Sequence, residues 1–426
     1  MTAKPTVLSV LRRRDFGLFI LSSLLSALAA EVLTIAIAWK IYDISSDPVD
    51  LGLVGLMQFL PSCLLVFVTG SVADSFSRKR IVTICLGVEF LFVLAIFLVA
   101  DKDTTQVWPI LLLIAGLSAG RAFLTPAADA LAPTLVEREE IASALAVSTS
   151  SHQLTIVAGP ALGGLLYGIS PGFAYTNSLV MVSIAAVAIL GMRHREQHRM
   201  QEQRMLDALV GGVKYVLQEK VVLGATTLDL FAVLLGSTAM LLPIFARDIL
   251  VAGPTGLGLL RAATGIEALS MALLLSFWPI RRRAGHIMFA AVAVFGLGTI
   301  VFGLSRSLTV SVIALIVMGA ADMISVYIRG VLIQLWTPDH LRGRVNAVNG
   351  VIINASNELG GFRAGMVAAS VGAVPAAIFG GICTMVVTGL WCLGFPKLRL
   401  ADDLTDVDVI PESTTPAVSP AAVPDR

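Results

Sequence analysis

Apolar runs of about 20 residues alternate with short polar breaks along this chain, and a helix of that length crosses the roughly 30 Å hydrocarbon core of a bilayer. The runs fall near 16–39, 51–73, 81–100, 107–132, 143–168 and 173–192. They resume near 221–246, 255–280, 286–305, 307–336, 345–370 and 374–395. The pattern predicts an all-α membrane protein with twelve transmembrane helices in two sets of six. Its divisions are a cytoplasmic N-terminus (1–15), a first six-helix half (16–192), a connection (193–220), a second half (221–396) and a tail (397–426). In the connection, Leu206, Leu209, Val210, Val213, Val216 and Leu217 recur at helical spacing. That spacing predicts an amphipathic helix along the cytoplasmic membrane surface, with a plain linker helix as the simpler alternative. The tail turns acidic (Asp402, Asp403, Asp406, Asp408) and then rich in Pro and Ala. It has too few apolar residues to pack and is expected to be disordered.

Composition supports the membrane assignment. The chain is 56% hydrophobic and 14% charged, with a mean hydropathy of +0.86, whereas soluble proteins carry about 25% charged residues. A net charge of +1 leaves no footprint for nucleic acid. Cys63, Cys85, Cys383 and Cys392 sit inside apolar runs without CxxC spacing or a neighbouring His, so neither a disulfide framework nor a metal site is expected. Arg12–Arg14 precede the first run as they would in a signal sequence. The run Phe16–Trp39 is nevertheless span-length and followed by many more, which makes it a first transmembrane helix.

Lys and Arg set the expected orientation. With the N-terminus inside, the cytoplasmic segments hold Arg12–Arg14, Arg78–Arg80, Arg281–Arg283, Arg342, Arg344 and most other cations. The outside loops hold Lys40, Lys102, Arg247 and Arg306. This bias predicts that both termini are cytoplasmic. The fourth-to-fifth connection is the exception, because Glu137, Glu139 and Glu140 outnumber Arg138.

The halves also resemble each other when displaced by about 200 residues. Pro133–Ile141 falls beside Ile333–Leu341, each an end of span, an acidic turn and a new span. With a small gap, Arg78–Arg80 falls on Arg281–Arg283 and Gly55 on Gly258. Two six-helix pseudo-repeats enclosing a central cavity are a transporter signature.

Three stretches carry a family resemblance. Gly70-Ser-Val-Ala-Asp74-Ser-Phe-Ser-Arg78-Lys79-Arg80 is similar to the G-x-x-x-D-x-x-x-R-[KR] loop motif of the major facilitator superfamily. Gly159-Pro160-Ala-Leu-Gly163-Gly164 resembles the motif of that superfamily's antiporter branch. Arg342–Asn349 and Ala355–Gly360 look like the enterobactin-exporter-like subgroup. The second loop departs from the motif, with Leu274 and Phe277 where an acid is expected. The resemblance covers residues 10–396 and implies the major facilitator fold. It also implies a cytoplasmic charge latch of Asp74, Arg78 and Asp129 that closes one side. A partly buried ion triad suits such a switch, because desolvation and Coulomb attraction nearly cancel. Gly159, Gly163 and Gly164 permit close helix approach and Pro160 kinks the fifth span; ordinary small-residue packing accounts for them equally well.

Ionisable residues inside spans mark sites, since each is costly in lipid unless it faces a cavity or a partner. They are Glu31, Glu89, Arg121, Asp229, Glu267, Asp322, Arg329, Glu358 and Arg363, with His152 beside them and Arg261 at the start of the eighth span. Helices one, four, seven and ten line the cavity in the resembled superfamily, which puts Glu31, Arg121, Asp229 and Asp322 first, with Arg329 and Glu358 as further candidates. A shielded carboxyl can carry a proton as access alternates; Glu31 is the first choice and Asp322 the second. Arg121 would hold an anionic cargo or tune a neighbouring carboxyl. The plain alternative is static bridges, Glu358 with Arg363 or Asp322 with Arg329, and for Glu89 a supporting role.

No HExxH, GxSxG or Walker A motif is present, and Gly253–Gly258 lacks the Lys-Ser/Thr that grips phosphate. The expectation is therefore no enzyme and no cofactor. It is a monomeric exporter of the bacterial inner membrane, driven by protons, whose cargo is a small organic molecule such as a siderophore or a drug-like amphiphile. Nutrient uptake and a non-transporting scaffold or sensor are the alternatives.

Overall fold

The structure is a computed structural model that describes residues 10–100, 106–193, 205–278, 280 and 282–401. The first residues and the acidic tail lie outside them, as do Arg195, Arg199 and Arg204 of the connection. The first half comprises α1 (Arg14–Ser45), α2 (Pro48–Ser75), α3 (Arg78–Ala100), α4 (Trp108–Leu131), α5 (Ile141–Ile169) and α6 (Pro171–Leu190). A connecting helix, α7 (Met205–Gln218), leads to α8 (Lys220–Gly236), α9 (Gly253–Phe277), α10 (Ala284–Leu304), α11 (Leu308–Trp336), α12 (Asp339–Val371) and α13 (Ala373–Gly394).

Local chemistry sets the helix ends. Asp47 caps α2, its side chain accepting from the Val49 amide, with Pro48 at the first helical position. Ser170 does the same for α6, accepting from the Phe173 amide, with Pro171 following. Gly372, at φ +90, turns α12 into α13 in a conformation that side-chain-bearing residues rarely adopt.

Among the described residues, nine helices are long and apolar enough to cross a membrane. The long helix α9 falls outside that set, as do α5, which carries Ser, His152 and several glycines, and α12, which carries Asn346, Asn349, Asn354, Asn357, Glu358 and Arg363. Helices α5 and α12 lie at the contact between the halves, α5 against α9 and α12 against α2, which buries part of each helix. The outer helices show the reverse pattern. Ile84, Leu91 and Leu98 on α3 and Leu390 and Leu393 on α13 are large, apolar and exposed, as a hydrocarbon-facing surface requires.

Packing partners recur between the halves. The first helix of each packs on its fifth and sixth: α1 on α5 and α6, α8 on α12 and α13. The fourth packs on the second and third: α4 on α2 and α3, α11 on α9 and α10.

The halves meet through glycine. A Cβ on Gly164 would lie 2.7 Å from the Gly258 Cα and the Pro254 carbonyl oxygen of α9. A Cβ on Gly365 of α12 would lie 2.6 Å from the Pro48 carbonyl oxygen and 3.2 Å from the Gly52 Cα of α2. At both crossings the backbones touch without intervening side chains. Both crossings lie toward the end of the bundle opposite Arg13, Arg78–Arg80 and Arg342, which we call the far face; the arginine end is the basic face.

The seventh span departs from a single helix. α8 stops at Gly236, and the chain continues through a 3₁₀ turn (Ala239–Leu241) and a π turn (Phe245–Ile249) before α9. Arg363 of α12 satisfies the freed carbonyls, its Nε donating to the Leu234 oxygen at 3.2 Å and its Nη2 to that of Leu235. This corrects the bridge between Glu358 and Arg363: five residues along a helix turn the two side chains well apart.

The connecting helix packs on the second half. Gly212 lies against the Arg344 backbone, Tyr215 donates to the Trp336 carbonyl, and Val216 is buried with Val222, Ile333, Val345 and Val348.

Replacing Gly164 with Leu is expected to cost about 1–3 kcal/mol through overpacking at the α5–α9 crossing. The check is the unfolding midpoint of the purified protein, which falls for Gly164→Leu and changes little for Gly87→Leu, where a side chain meets open space.

Candidate functional site

One apolar cluster spans both halves at the far face, joining Ile35, Ala38, Tyr42 and Leu51 to Leu241, Phe245, Leu257, Leu260 and Ala364. A polar clasp completes it. Tyr42 at the end of α1 donates to Asp248, and Arg247 donates to the Tyr42 carbonyl at 3.0 Å, pairs with Asp43 at 3.1 Å and lies 5.4 Å from the Tyr42 ring centre. At the basic face the packed clusters stay within one half: Phe16, Ile81, Leu131 and Ile189 in the first, Val221, Met288, Leu332 and Leu398 in the second. The molecule is therefore held shut at the far face.

On the basic-face side of that closure lies a cavity of about 420 Å³ in the first half. It is lined by α1 (Ser22, Ser23, Ser26, Ala27), α4 (Arg121, Thr125, Asp129) and α5 (Ser148, Thr149, Ser151, His152, Thr155), with apolar wall from Phe19, Ile20, Val82 and Leu86. Hydroxyls, one guanidinium, one imidazole and one carboxylate facing an apolar wall suit an amphiphilic small molecule, and the volume is that of a drug-sized ligand site.

Arg121 is pinned from behind. Its Nη1 lies 2.6 Å from Glu89 Oε1, and Ser26 donates to Glu89 Oε2 at 2.9 Å. Glu89 is buried, so its partner is a fixed counter-charge; the supporting role expected of helix three is a direct bridge to the cavity arginine. In the second half Arg329 pairs with Asp229, both buried. This corrects the pairing with Asp322, which lies seven residues, or about 10 Å of helix rise, from Arg329. Asp322 remains in the field of Asp229 and Arg329, and Glu267 in that of Asp322, with the Glu267 carboxylate seated on Gly319 of α11.

The antiporter-like motif acquires specific neighbours. Gly159 faces Glu31, whose Cβ would lie 2.4 Å from an added methyl, and Gly163 faces Val32 and Ile35, so α5 presses on α1 where Glu31 sits. Glu31 interacts electrostatically with Arg261, Arg121 and His152. Pro160 presents its carbonyl to Gly258. Glu358 points across the seam toward Gly55 of α2.

In the loop motif, Gly70 and Asp74 lie on the last turns of α2, with side chains outside those described. Arg78 Nη1 donates to the Ala130 carbonyl at 2.9 Å, Lys79 donates to the Met192 carbonyl, and Arg80 is exposed. Asp129 faces the cavity and the field of His152. The acid-rich loop after α4 is also explained: Arg13 lies 2.7 Å from Glu137 and 2.6 Å from Glu140, which raises the arginine's pKa above its ordinary value, the hydrogen bond to Glu137 contributing most. Sequence reasoning passed over Tyr42, Asp43 and Asp248, because a pairing between helix-end residues more than 200 positions apart leaves no local pattern.

A helical bundle in two groups, shut at one face and holding a charge-lined polar cavity, is a membrane transporter of the major facilitator fold. The family described as transmembrane secretion effector matches residues 5–421, and the chain belongs to that family. It is 26% identical over 408 residues to the multidrug efflux pump Tap of Mycobacterium tuberculosis, covering 92% of this chain and 96% of that protein. It is 21% identical over 349 residues to the macrolide efflux protein A of Streptococcus pyogenes, covering 79% and 84%. A bacterial homolog of the human lysosomal transporter Spinster, in an inward-facing and unoccupied conformation, superposes with a TM-score of 0.69 at 14% identity over 91% of this chain and 97% of that one. The chain is thus a multi-pass membrane protein of that transporter family, and the two relatives named are efflux pumps.

Arg247→Ala removes the guanidinium contacts of the far-face clasp to Tyr42 and Asp43, leaving the Tyr42–Asp248 hydrogen bond. Discounted for the solvent exposure of Arg247 and Asp43, the loss is about 1–2 kcal/mol, a roughly five- to thirtyfold shift toward the open far face. The check is the rate at which a membrane-impermeant maleimide labels Ile35→Cys, buried in the closed cluster, in a background with the native cysteines replaced. The rate rises by that factor.

Proposed function

We propose that this protein exports a small amphiphilic organic molecule from the cytoplasm by alternating access, driven by inward proton movement. The observation that carries this is the pairing of a far-face closure built from both halves with a polar cavity on its basic-face side. Opening the far face while closing the basic face would expose the same cavity to the other side. Similarity to two efflux pumps supports outward transport of a drug-like cargo; a siderophore fits the cavity chemistry less well, because Arg121 is already neutralised by Glu89.

In this reading all twelve long helices cross the membrane as two pseudo-repeats, in the inner membrane, with the basic face cytoplasmic. Asp74, Arg78 and Asp129 form the closure of the basic face in the opposite state, Arg78 being already anchored one residue from Asp129. Glu31 carries the proton. It sits between the two gates, lacks an ion pair within salt-bridge distance among the described residues, and is pressed by Gly159 into the α1–α5 contact. Asp322, in the field of a buried ion pair, is the second carboxyl of the path.

Glu31→Gln is expected to abolish pH-gradient-driven efflux in inverted vesicles while membrane expression stays at the wild-type level. Full gradient-driven efflux by this variant would remove Glu31 from the role. Asp74→Asn tests the latch in the same assay and is expected to lower the rate without loss of expression.

A further inference from the structure

The cations inside the bundle are almost all spoken for. Arg121 pairs with Glu89, Arg329 pairs with Asp229, and Arg363 caps the broken α8. Arg261 is different. Its Nε is buried without a hydrogen-bond partner, as is Nη1 of Arg329 and of Arg363, but Arg261 alone of these four has neither a salt bridge nor a side-chain hydrogen bond among the described residues.

Its position is held by the seam itself. Gly258, three residues before it, would place a Cβ 2.7 Å from the Pro160 carbonyl oxygen, and Gly265, four residues after it, one 2.9 Å from the Ile156 carbonyl oxygen. Arg261 is thus fixed between two points where the α9 and α5 backbones touch. Two acids face it from different helices. Glu31 on α1 approaches at Gly159, where α5 has no side chain, and Glu358 on α12 crosses the seam toward Gly55, its Oε2 buried without a hydrogen-bond partner. Arg261 interacts electrostatically with both. One acid belongs to each half.

With both acids ionised, two carboxylates around one guanidinium leave a surplus of negative charge, which attracts a further cation and repels an anion. The polar cavity leads to this point: Ala27 and Thr155 in its wall lie one helical turn before Glu31 and Gly159 on their helices. His152 and Arg121 also face Glu31 from that wall, with Arg121 already committed to Glu89.

Building on the transport function proposed above, we propose that Arg261 is a tethered cation shared by Glu31 and Glu358 across the seam, and that the positively charged group of an amphiphilic cargo takes its place. Arg261 is then a specificity-determining residue: it occupies the acids when the cavity is empty and competes with the cargo for them. A bound cargo cation frees Arg261 from the seam and loosens the far-face closure.

The test uses two probes of matched shape and opposite charge, tetraphenylphosphonium and tetraphenylborate, measured by equilibrium dialysis against the purified full chain. The phosphonium is expected to bind more tightly than the borate. Arg261→Gln removes the competitor and raises phosphonium affinity about threefold to tenfold, Arg261→Lys stays near wild type, and Glu358→Gln or Glu31→Gln weakens binding by a similar factor. An unfolding midpoint within the wild-type range for Arg261→Lys and Arg261→Gln separates these effects from misfolding; should Arg261→Gln fail to fold, Arg261→Lys with Glu358→Gln and Glu31→Gln carries the test. Unchanged or lower phosphonium affinity in Arg261→Gln overturns the proposal, as does tighter binding of the borate or unaltered phosphonium binding in both acid variants. Because binding is measured without a gradient, a chain that shows this pattern yet does not export sinks the export function alone. One that exports with binding indifferent to Arg261 sinks this proposal alone.

Discussion

Backbone-to-backbone contact at the α5–α9 and α2–α12 crossings is the constraint on which the rest of the structure depends. In lipid no hydrophobic effect drives apolar helices together, so close packing and polar contacts must do it. Gly164 on Gly258 and Gly365 on Gly52 bring the halves to the distance at which Tyr42 reaches Asp248 and Glu358 reaches α2. Each crossing joins one helix of one half to one of the other, with the second contact point of α9, at Gly265, further along the same seam. A contact built of backbone has little give: it is made or it is broken. That favours two discrete arrangements over a graded one.

The charges follow a second rule, that a buried ion is tolerated only with a partner. The bundle meets it unequally. Glu89–Arg121 and Asp229–Arg329 lie within single halves and stabilise each half as a body. Glu31, Arg261 and Glu358 are distributed across the seam and form no ion pair at salt-bridge distance among the described residues. Rigid halves with an unsettled seam are the electrostatic arrangement that rocking motion requires. The asymmetry also explains why α3, expected only to support, carries a residue of the cavity shell.

Much of this was legible in the amino-acid sequence, because apolar run length translates directly into helices. Gly159, Gly163 and Gly164 could be recognised as a close-packing face, although their partners could not. That α5 meets α1 on one side and α9 on the other is a property of three helices, and no single run of sequence contains it. Pairings within a helix could be judged by geometry, and the two suggested ones fail on it: Asp322 and Arg329 are separated by two turns, Glu358 and Arg363 by their angle around the axis. The break in α8 was hidden because Ala239–Ala246 beyond it remains apolar, so hydropathy continues where the helix does not. The far-face clasp was hidden because Arg247 counts from sequence only as an outside-loop cation, and nothing local ties it to Tyr42.

The poor hydropathy of α5 and α12 has a biosynthetic consequence. A segment bearing Asn346, Asn349, Asn354, Asn357, Glu358 and Arg363 partitions weakly into bilayer on its own. Such a segment must be delivered to neighbours that already stand in the membrane. The order of translation supplies them: α1 precedes α5, and both α2 and α8 precede α12. Assembly is thereby made sequential, with the eleventh long membrane-associated segment entering against a surface completed by its predecessors. Reordering the halves by circular permutation would take α2 away from α12 at the moment of its insertion, and would be penalised during synthesis even where the finished protein is equally stable.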